Sequence, residues 1–138
     1  MLAPKRQKFR KQFRGVWRNI AIKGNNLVFG NYGLKSLGQG WLTDRQIEAC
    51  RVVLARSTRK AGKFWIRVFP DKPYSKKPPE VTMGAGKGDV SHYVSVLVPG
   101  RVIFEFDLPT PQEAKDTARV LSSKLAVKTK FVSKKHEN

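Results

Sequence analysis

Residues 76–90 read KKPPEVTMGAGKGDV, a stretch with almost nothing that can hold a helix or a strand by itself. Pro78 and Pro79 deny it a helix, and Gly84, Gly86 and Gly88 weaken any strand through backbone entropy. On either side the pattern changes to alternating apolar residues, KFWIRVF before and YVSVLV after. Two strands must therefore present a long glycine-rich loop that carries Lys76, Lys77 and Lys87. Unstructured connections of this length usually bind something, the plain alternative being a flexible linker.

Charge narrows what is bound. The 138 residues hold 28 Lys+Arg against 10 Asp+Glu, a formal net charge of +18, with 40% apolar residues. That length fits one domain with a modest core. Self-repulsion of this size calls for a standing anionic partner, with nucleic acid first and an anionic membrane surface second. No apolar run reaches the length of a membrane span, and the N-terminus lacks the apolar region of a secretory signal. A lone Cys50 offers no internal disulfide.

No acidic residue precedes Asp44. Lys5, Arg6, Lys8, Arg10, Lys11, Arg14 and Arg18 are interleaved with Phe9, Phe13 and Trp17, whose spacing would align them along one stripe of a helix. With nothing to offset the cations, and short isolated helices marginal in water, residues 1–24 read as a basic arm that is extended or disordered until RNA neutralises it. A solvated basic tail is the plainer alternative.

The body reads as α+β. Residues 27–30 and 32–37 look like two short strands joined at Asn31. Thr43 is an N-cap with Gln46 at capping-box spacing and Asp44 in the first turn. Ile47, Cys50, Leu54 and Ala61 mark the buried face of that helix, and Gly62 is placed to end it. Arg45, Arg51, Arg56 and Arg59 point largely elsewhere. Residues 63–69 alternate Phe64, Ile66 and Val68 with Trp65, Arg67 and Phe69, so both faces are mostly apolar and a central strand is predicted. FPDKP then breaks the pattern and leads into the loop. Residues 93–98 and 102–106 flank Pro99-Gly100 as a hairpin. Thr110, Pro111 and Glu113 open a second helix with Ala114, Ala118, Leu121 and Leu125 as its buried stripe, and residues 127–132 form a last strand. Two helices packed on one side of a mostly antiparallel sheet is the layer solution this order favours, with residues 76–92 as the loop and 133–138 as a frayed tail.

Catalytic chemistry finds no foothold. Two histidines and one cysteine show no zinc spacing. Ser91, His92 and Asp89 resemble a triad only in composition, since sequence neighbours rarely adopt that geometry, and His92 reads as structural or RNA-contacting. A Walker loop would need Gly where Val81 stands and a hydroxyl where Gly88 stands. What survives is glycine-freed backbone amides plus Lys87 close to a phosphate. Met83 fits either a soft contact to a base or sugar or a place in the core. Glu105/Asp107 and Glu113/Asp116 read as surface charges. No cofactor, metal site or small-molecule substrate is expected.

DNA-reading signatures are missing as well. Cationic extensions on a small scaffold suit folded RNA, where aromatic and arginine planes stack on exposed bases. Phe9, Phe13, Trp17 and Trp41 are stacking candidates, although Trp41 could equally pack over the first helix.

Several segments together resemble a known family: MLAPKRQKFRK, LTDRQIEA, WIRVFPDKP, MGAGKG, the VPG turn and KTKFV, in order from Met1 to about Val132. The chain is similar to large-subunit ribosomal protein sixteen of the bacterial and organellar type. The resemblance implies an α+β sandwich in the large ribosomal subunit, of bacterial cytoplasm or organelle interior, that binds large-subunit ribosomal RNA and joins the subunit late. It implies partners in neighbouring ribosomal proteins and A-site transfer RNA near the peptidyl-transferase region, with no membrane. The candidate ribosomal-RNA residues are Lys5, Arg6, Lys8, Phe9, Arg10, Lys11, Arg14 and Arg18 of the arm with Arg51, Arg56, Arg59 and Lys60 of the first helix. The candidate transfer-RNA loop comprises Lys76, Lys77, Thr82, Met83, Gly84, Gly86, Lys87 and Gly88. Many bacterial members carry Arg at the place of Thr82, hydroxylated in some, which Thr82 cannot reproduce. Ala85 replaces a frequent Lys, and Phe13 a common His.

Three functional readings follow from the sequence. The first is a structural ribosomal component. The second is an RNA-modifying or RNA-processing enzyme that uses the loop, which would need a positioned acid, base or nucleophile. The third is a free regulatory nucleic-acid-binding protein.

Overall fold

The computed structural model describes residues 3–6, 24–75 and 90–134. Along these the order is β1 (Tyr32–Ser36), β2 (Gly40–Thr43), α1 (Asp44–Thr58), β3 (Lys63–Ile66), β4 (Lys72–Ser75), β5 (Val90–Leu97), β6 (Val102–Asp107), α2 (Pro111–Ser123) and β7 (Thr129–Ser133). The strands form two sheets, β3-β6-β1-β7 and β2-β5-β4. Each pairing of neighbouring strands is antiparallel. The α+β class holds, with two sheets in place of one. Among the described residues no helix is long and apolar enough to cross a membrane.

Register explains the core. Tyr32 and Phe64 both stand opposite Phe106, and Leu34 and Ile66 both stand opposite Phe104, so these side chains share one face of the four-stranded sheet. Ile47, Cys50 and Leu54 of α1 and Ala114, Ala118 and Leu121 of α2 are buried in the same cluster. Each large apolar side chain fully buried there stabilises the fold by roughly 1.5–3 kcal/mol.

Both helices start where local chemistry dictates. The Thr43 hydroxyl accepts from the Gln46 amide at 3.2 Å and the Gln46 side chain accepts from the Thr43 amide at 3.0 Å, the reciprocal capping box. The Thr110 hydroxyl accepts from the Glu113 amide at 3.3 Å, with Pro111 as the first helical residue. Their ends differ from expectation. α1 stops at Thr58, leaving Ala61 exposed and outside the helix. Gly62 serves the start of β3 instead: its φ is 123°, and a Cβ there would lie 2.1 Å from the Asp107 carbonyl oxygen. Leu125, half-buried, lies past the end of α2.

The strands depart further. Residues 63–69 are not a central strand: β3 ends at Ile66 and lies at the sheet edge, paired with β6 alone. Its neighbour on the outer side is no strand, so its two apolar faces reflect core and surface packing. Lys72–Ser75, expected as loop entry, is a strand paired with β5. Strand β2, not anticipated, also pairs with β5 and runs directly into the α1 cap. Pro99-Gly100 does form a turn, the Arg101 amide donating to the Val98 carbonyl at 3.2 Å. It is not a hairpin, because β5 and β6 belong to different sheets. The end of β1 grips the turn from outside, with the Gly100 amide donating to the Ser36 carbonyl at 2.8 Å and the Ser36 amide to the Arg101 carbonyl at 2.8 Å. Ser133, expected in the frayed tail, is the buried last residue of β7, and the Lys134 amide donates to the Asn31 carbonyl at 2.9 Å.

Two outcomes check this packing. Thr43→Ala should cost about 1 kcal/mol of unfolding free energy by losing the cap, read in urea denaturation. Burial pushes the Cys50 thiol up to about 11, against a smaller lowering by Lys124. At about pH 8 a thiol reagent should leave the native chain unlabelled and react only once urea unfolds it.

Candidate nucleic-acid interface

Residues 24–31, through which the basic arm would join the body, run as an irregular strap over the outer face of the four-stranded sheet. The strand expected at 27–30 is not formed, and the reason is a carboxylate. Glu105, in the middle of β6 and fully buried, accepts hydrogen bonds at Oε1 from the amides of Val28 (2.7 Å), Phe29 (2.9 Å) and Gly30 (3.1 Å). Three successive amides turned on one oxygen cannot also form a ladder. Arg67 donates from Nη1 to the other oxygen, Oε2. Beside them the Asn31 amide donates to Asp107 at 2.6 Å. Buried Leu27 then lies on Gly33 of β1, where any Cβ would come within 2.4 Å of a leucine methyl carbon. Glu105 and Asp107 are thus fastenings of the strap, not the surface charges expected of them.

The electrostatics agree. Burial acts to raise the Glu105 pKa, but the Arg67 hydrogen bond and the three backbone donors outweigh it and hold the carboxyl below its ordinary 4.5.

A polar cleft of about 540 Å³ opens where the two sheets meet, lined by Arg67, Asp71, Lys72, Ser95 and Arg101 among others. Arg101 joins both structural roots. The amide of its neighbour Val102 donates to the Gly24 carbonyl at 2.7 Å, and its own guanidinium reaches the Arg67 carbonyl at 3.4 Å. Lys72, the first residue of β4, is buried with its ammonium 4.9 Å from the centre of the Trp41 ring. Trp41 meets Tyr74 edge-on at 5.7 Å, and Tyr74 stacks on His92 at 4.9 Å. Trp41 is therefore part of a ring cluster on the three-stranded sheet, and His92 is a packing residue whose Nδ1 is 3.2 Å from the Ser91 hydroxyl.

The residues expected to meet RNA fall into three groups. Lys5 and Arg6 are exposed. Arg56, Arg59 and Lys60 are exposed and line one hollow between the end of α1 and the start of α2, shared with Glu113 and Asp116. Arg51 stands apart from them. It grips Glu48 one turn back at 2.5 Å, and that hydrogen bond, against the opposing effect of burial and helped by the attraction of the two charges, holds the Glu48 carboxyl below its ordinary value. Lys8, Phe9, Arg10, Lys11, Phe13, Arg14, Trp17, Arg18 and the whole set Lys76, Lys77, Thr82, Met83, Gly84, Gly86, Lys87 and Gly88 lie outside the described residues, as do Asp89 and His136.

Compared with known proteins, the chain matches the family model described as ribosomal protein L16p/L10e over residues 4–132. The chain belongs to that ribosomal protein family. It is similar to the large ribosomal subunit protein uL16 of Hydrogenobaculum sp. (strain Y04AAS1), 50% identical over 131 residues that cover 95% of this chain and 93% of that one. The protein of the same name from Aquifex aeolicus (strain VF5) is 48% identical over 131 residues, covering 95% and 92%. The ribosomal L16p/L10e family is not enzymatic, so membership removes the enzyme reading on its own.

For a ribosomal protein of this family, sequence reasoning found the exposed cations and missed Arg67, Lys72, Arg101 and Glu105. One signal was present: Glu105 sits inside VIFEF, where a charge has no surface to face if the strand is central.

Replacing Glu105 by Gln should destabilise the chain by about 3 kcal/mol near neutral pH, since Arg67 is left without its counter-charge. A carboxyl with a depressed folded pKa stabilises above its unfolded value and loses that contribution as pH falls through the folded one. The gap in urea midpoint between wild type and Glu105→Gln should therefore narrow steadily as pH falls below the ordinary carboxyl range. A gap that stays constant would mean that charge on Glu105 is not what holds the strap.

Proposed function

We propose that this chain is a structural component of the large ribosomal subunit that binds large-subunit ribosomal RNA and takes part in late subunit assembly. The observation that carries the reading is the family match across residues 4–132 on a chain of net charge +18. The relatives' own name, large ribosomal subunit protein, points to the same particle. The place of work is the ribosome of bacterial cytoplasm or of an organelle interior.

The mechanism is positioning, without bond chemistry. Exposed Lys5, Arg6, Arg56, Arg59 and Lys60 supply point charges and guanidinium forks to phosphates. Each phosphate neutralised releases condensed counterions, which makes binding strong at low salt and steeply salt-dependent. The arm residues Lys8, Phe9, Arg10, Lys11, Arg14 and Arg18 extend that contact along ribosomal RNA. Residues 76–89, which join β4 to β5 (residues 90–92, expected in the loop, belong to β5), face A-site transfer RNA near the peptidyl-transferase region, Lys76, Lys77 and Lys87 steadying the phosphate backbone and the glycines allowing close approach. Neighbouring large-subunit proteins complete the surroundings.

Sedimentation of a native extract, with this protein followed by immunoblot, tests the reading. It should travel with large subunits through moderate salt and be released only by harsh salt, with a log–log slope of roughly −0.7 to −0.9 per phosphate neutralised. A light, soluble fraction alone would sink it. Changing Lys5 and Arg6 to Ala should flatten the slope by about 1 for each phosphate that is no longer neutralised. Changing Lys76, Lys77 and Lys87 to Ala should leave the protein on the subunit and weaken A-site transfer-RNA binding there.

A further inference from the structure

The strap displays two large apolar side chains to solvent. Val28 is 58% and Phe29 55% exposed, the highest values among the described large hydrophobic residues. Isolated exposed apolar residues are ordinary, but three features set Phe29 apart. Its backbone is fixed, because its own amide and those on both sides donate to the buried Glu105. Its ring rests on Trp65 of β3, with centroids 5.9 Å apart and planes 22° from parallel. The Arg67 guanidinium carbon lies 5.4 Å from the same ring centre.

Trp65 and Arg67 are two residues apart, on the same side of an extended chain, so both support the ring from the sheet side. The exposure is then on the ring's outward surface. Charge selects the occupant. The Lys134 ammonium donates to the Val28 carbonyl at 3.3 Å, placing a cation on the peptide that leads into Phe29, and the chain as a whole carries +18. A flat, preoriented aromatic surface edged by cations suits an unpaired nucleobase with its phosphate better than it suits the apolar side chain of a protein.

We infer that Phe29, fixed on Trp65 by the Glu105 clasp, is a stacking platform for an unpaired base of the ribosomal RNA. This deepens the ribosomal reading above and rests on it. In the sequence alone Phe29 reads as a strand residue with no functional role.

The test uses the full-length chain and large-subunit core particles stripped of this protein by high salt. Phe29→Ala and Phe29→Leu should each weaken binding roughly tenfold, and Phe29→Tyr by less than about twofold, since only Tyr keeps the π-face. All three should keep the wild-type salt slope, because the same phosphates stay neutralised. Ultraviolet zero-length crosslinking should join the peptide bearing Phe29 to a nucleotide. The ring's exposure makes misfolding an unexpected complication, and thermal unfolding of each variant checks it. Wild-type affinity in Phe29→Ala would overturn the platform and leave the ribosomal reading intact. Full recovery by Phe29→Leu, or a crosslink to another protein, would assign the patch to an apolar protein contact and overturn it equally. Failure of the wild-type chain to bind the cores would overturn the ribosomal reading, and the platform with it.

Discussion

A carboxylate in the interior of a sheet is costly unless both of its oxygens find donors. Glu105 meets that condition with three backbone amides and one guanidinium, and much of the molecule's arrangement follows from it. The donors come from a strap some 76 residues earlier in the chain, so the bond ties the start of the body to its middle. Leu27 seals Gly33, Phe29 is set on Trp65, and the outer face of the four-stranded sheet acquires a cover that neither helix could provide. Arg67, which follows the end of β3, is oriented by the same contact while its amide donates to the Ile103 carbonyl at 2.9 Å. One ionised group thereby fixes a loop, a strand end and the point from which the N-terminal arm departs.

The cations divide by what they face. Arg67 and Lys72 are turned inward or onto rings, and serve the fold. Arg101 joins them at the sheet junction. Arg56, Arg59, Lys60, Lys63, Lys124, Lys128, Lys130 and Lys134 are exposed. Of the few acids available, Glu105 and Asp107 are consumed by the strap and Glu48 by Arg51, which leaves little internal charge to balance that surface. An excess of this size repels itself unless it is balanced from outside the chain.

What could be read from the sequence was local. The helix starts were legible because a Thr cap, a Gln or Glu three residues on and a Pro at the first position act within one turn. The apolar stripes followed from their spacing. The antiparallel character of the sheet was legible, but its strand partners and its division into two were not, because pairing is settled by partners far away in the chain. YVSVLV and VIFEF flank a true Pro-Gly turn, yet each finds better partners elsewhere, β5 in β2 and β4, β6 in β1 and β3. The strap failed for the same reason: LVFG alternates well enough for a strand, and nothing nearby reveals that its amides are wanted by Glu105. Among the candidate contacts, exposed lysines and arginines were found by composition, while Phe29 was missed because its role depends on a residue that composition marks as surface.

The turn at Pro99-Gly100 links the strap, at the start of the body, to the sheet formed by β2, β5 and β4. There the chain leaves the sheet that bears the loop and enters the sheet that bears the strap. A hairpin would have kept both strands in a single sheet and left the other without its central member, since β5 and β6 each lie between two partners. Arg101 occupies the crossing. Its backbone is bonded to Ser36, and its side chain lies so close to Gly24 that a Cβ on that residue would come within 2.9 Å of the guanidinium Nε. Displacing the strap would therefore disturb the crossing, and disturbing the crossing would shift β5 and with it one root of the loop. Gly24, where the strap begins, and the facing ends of β4 and β5 are set relative to each other by this junction and by Glu105. These ends are held at a fixed separation, and the entropy of positioning them has been spent in folding the body, before any partner is met.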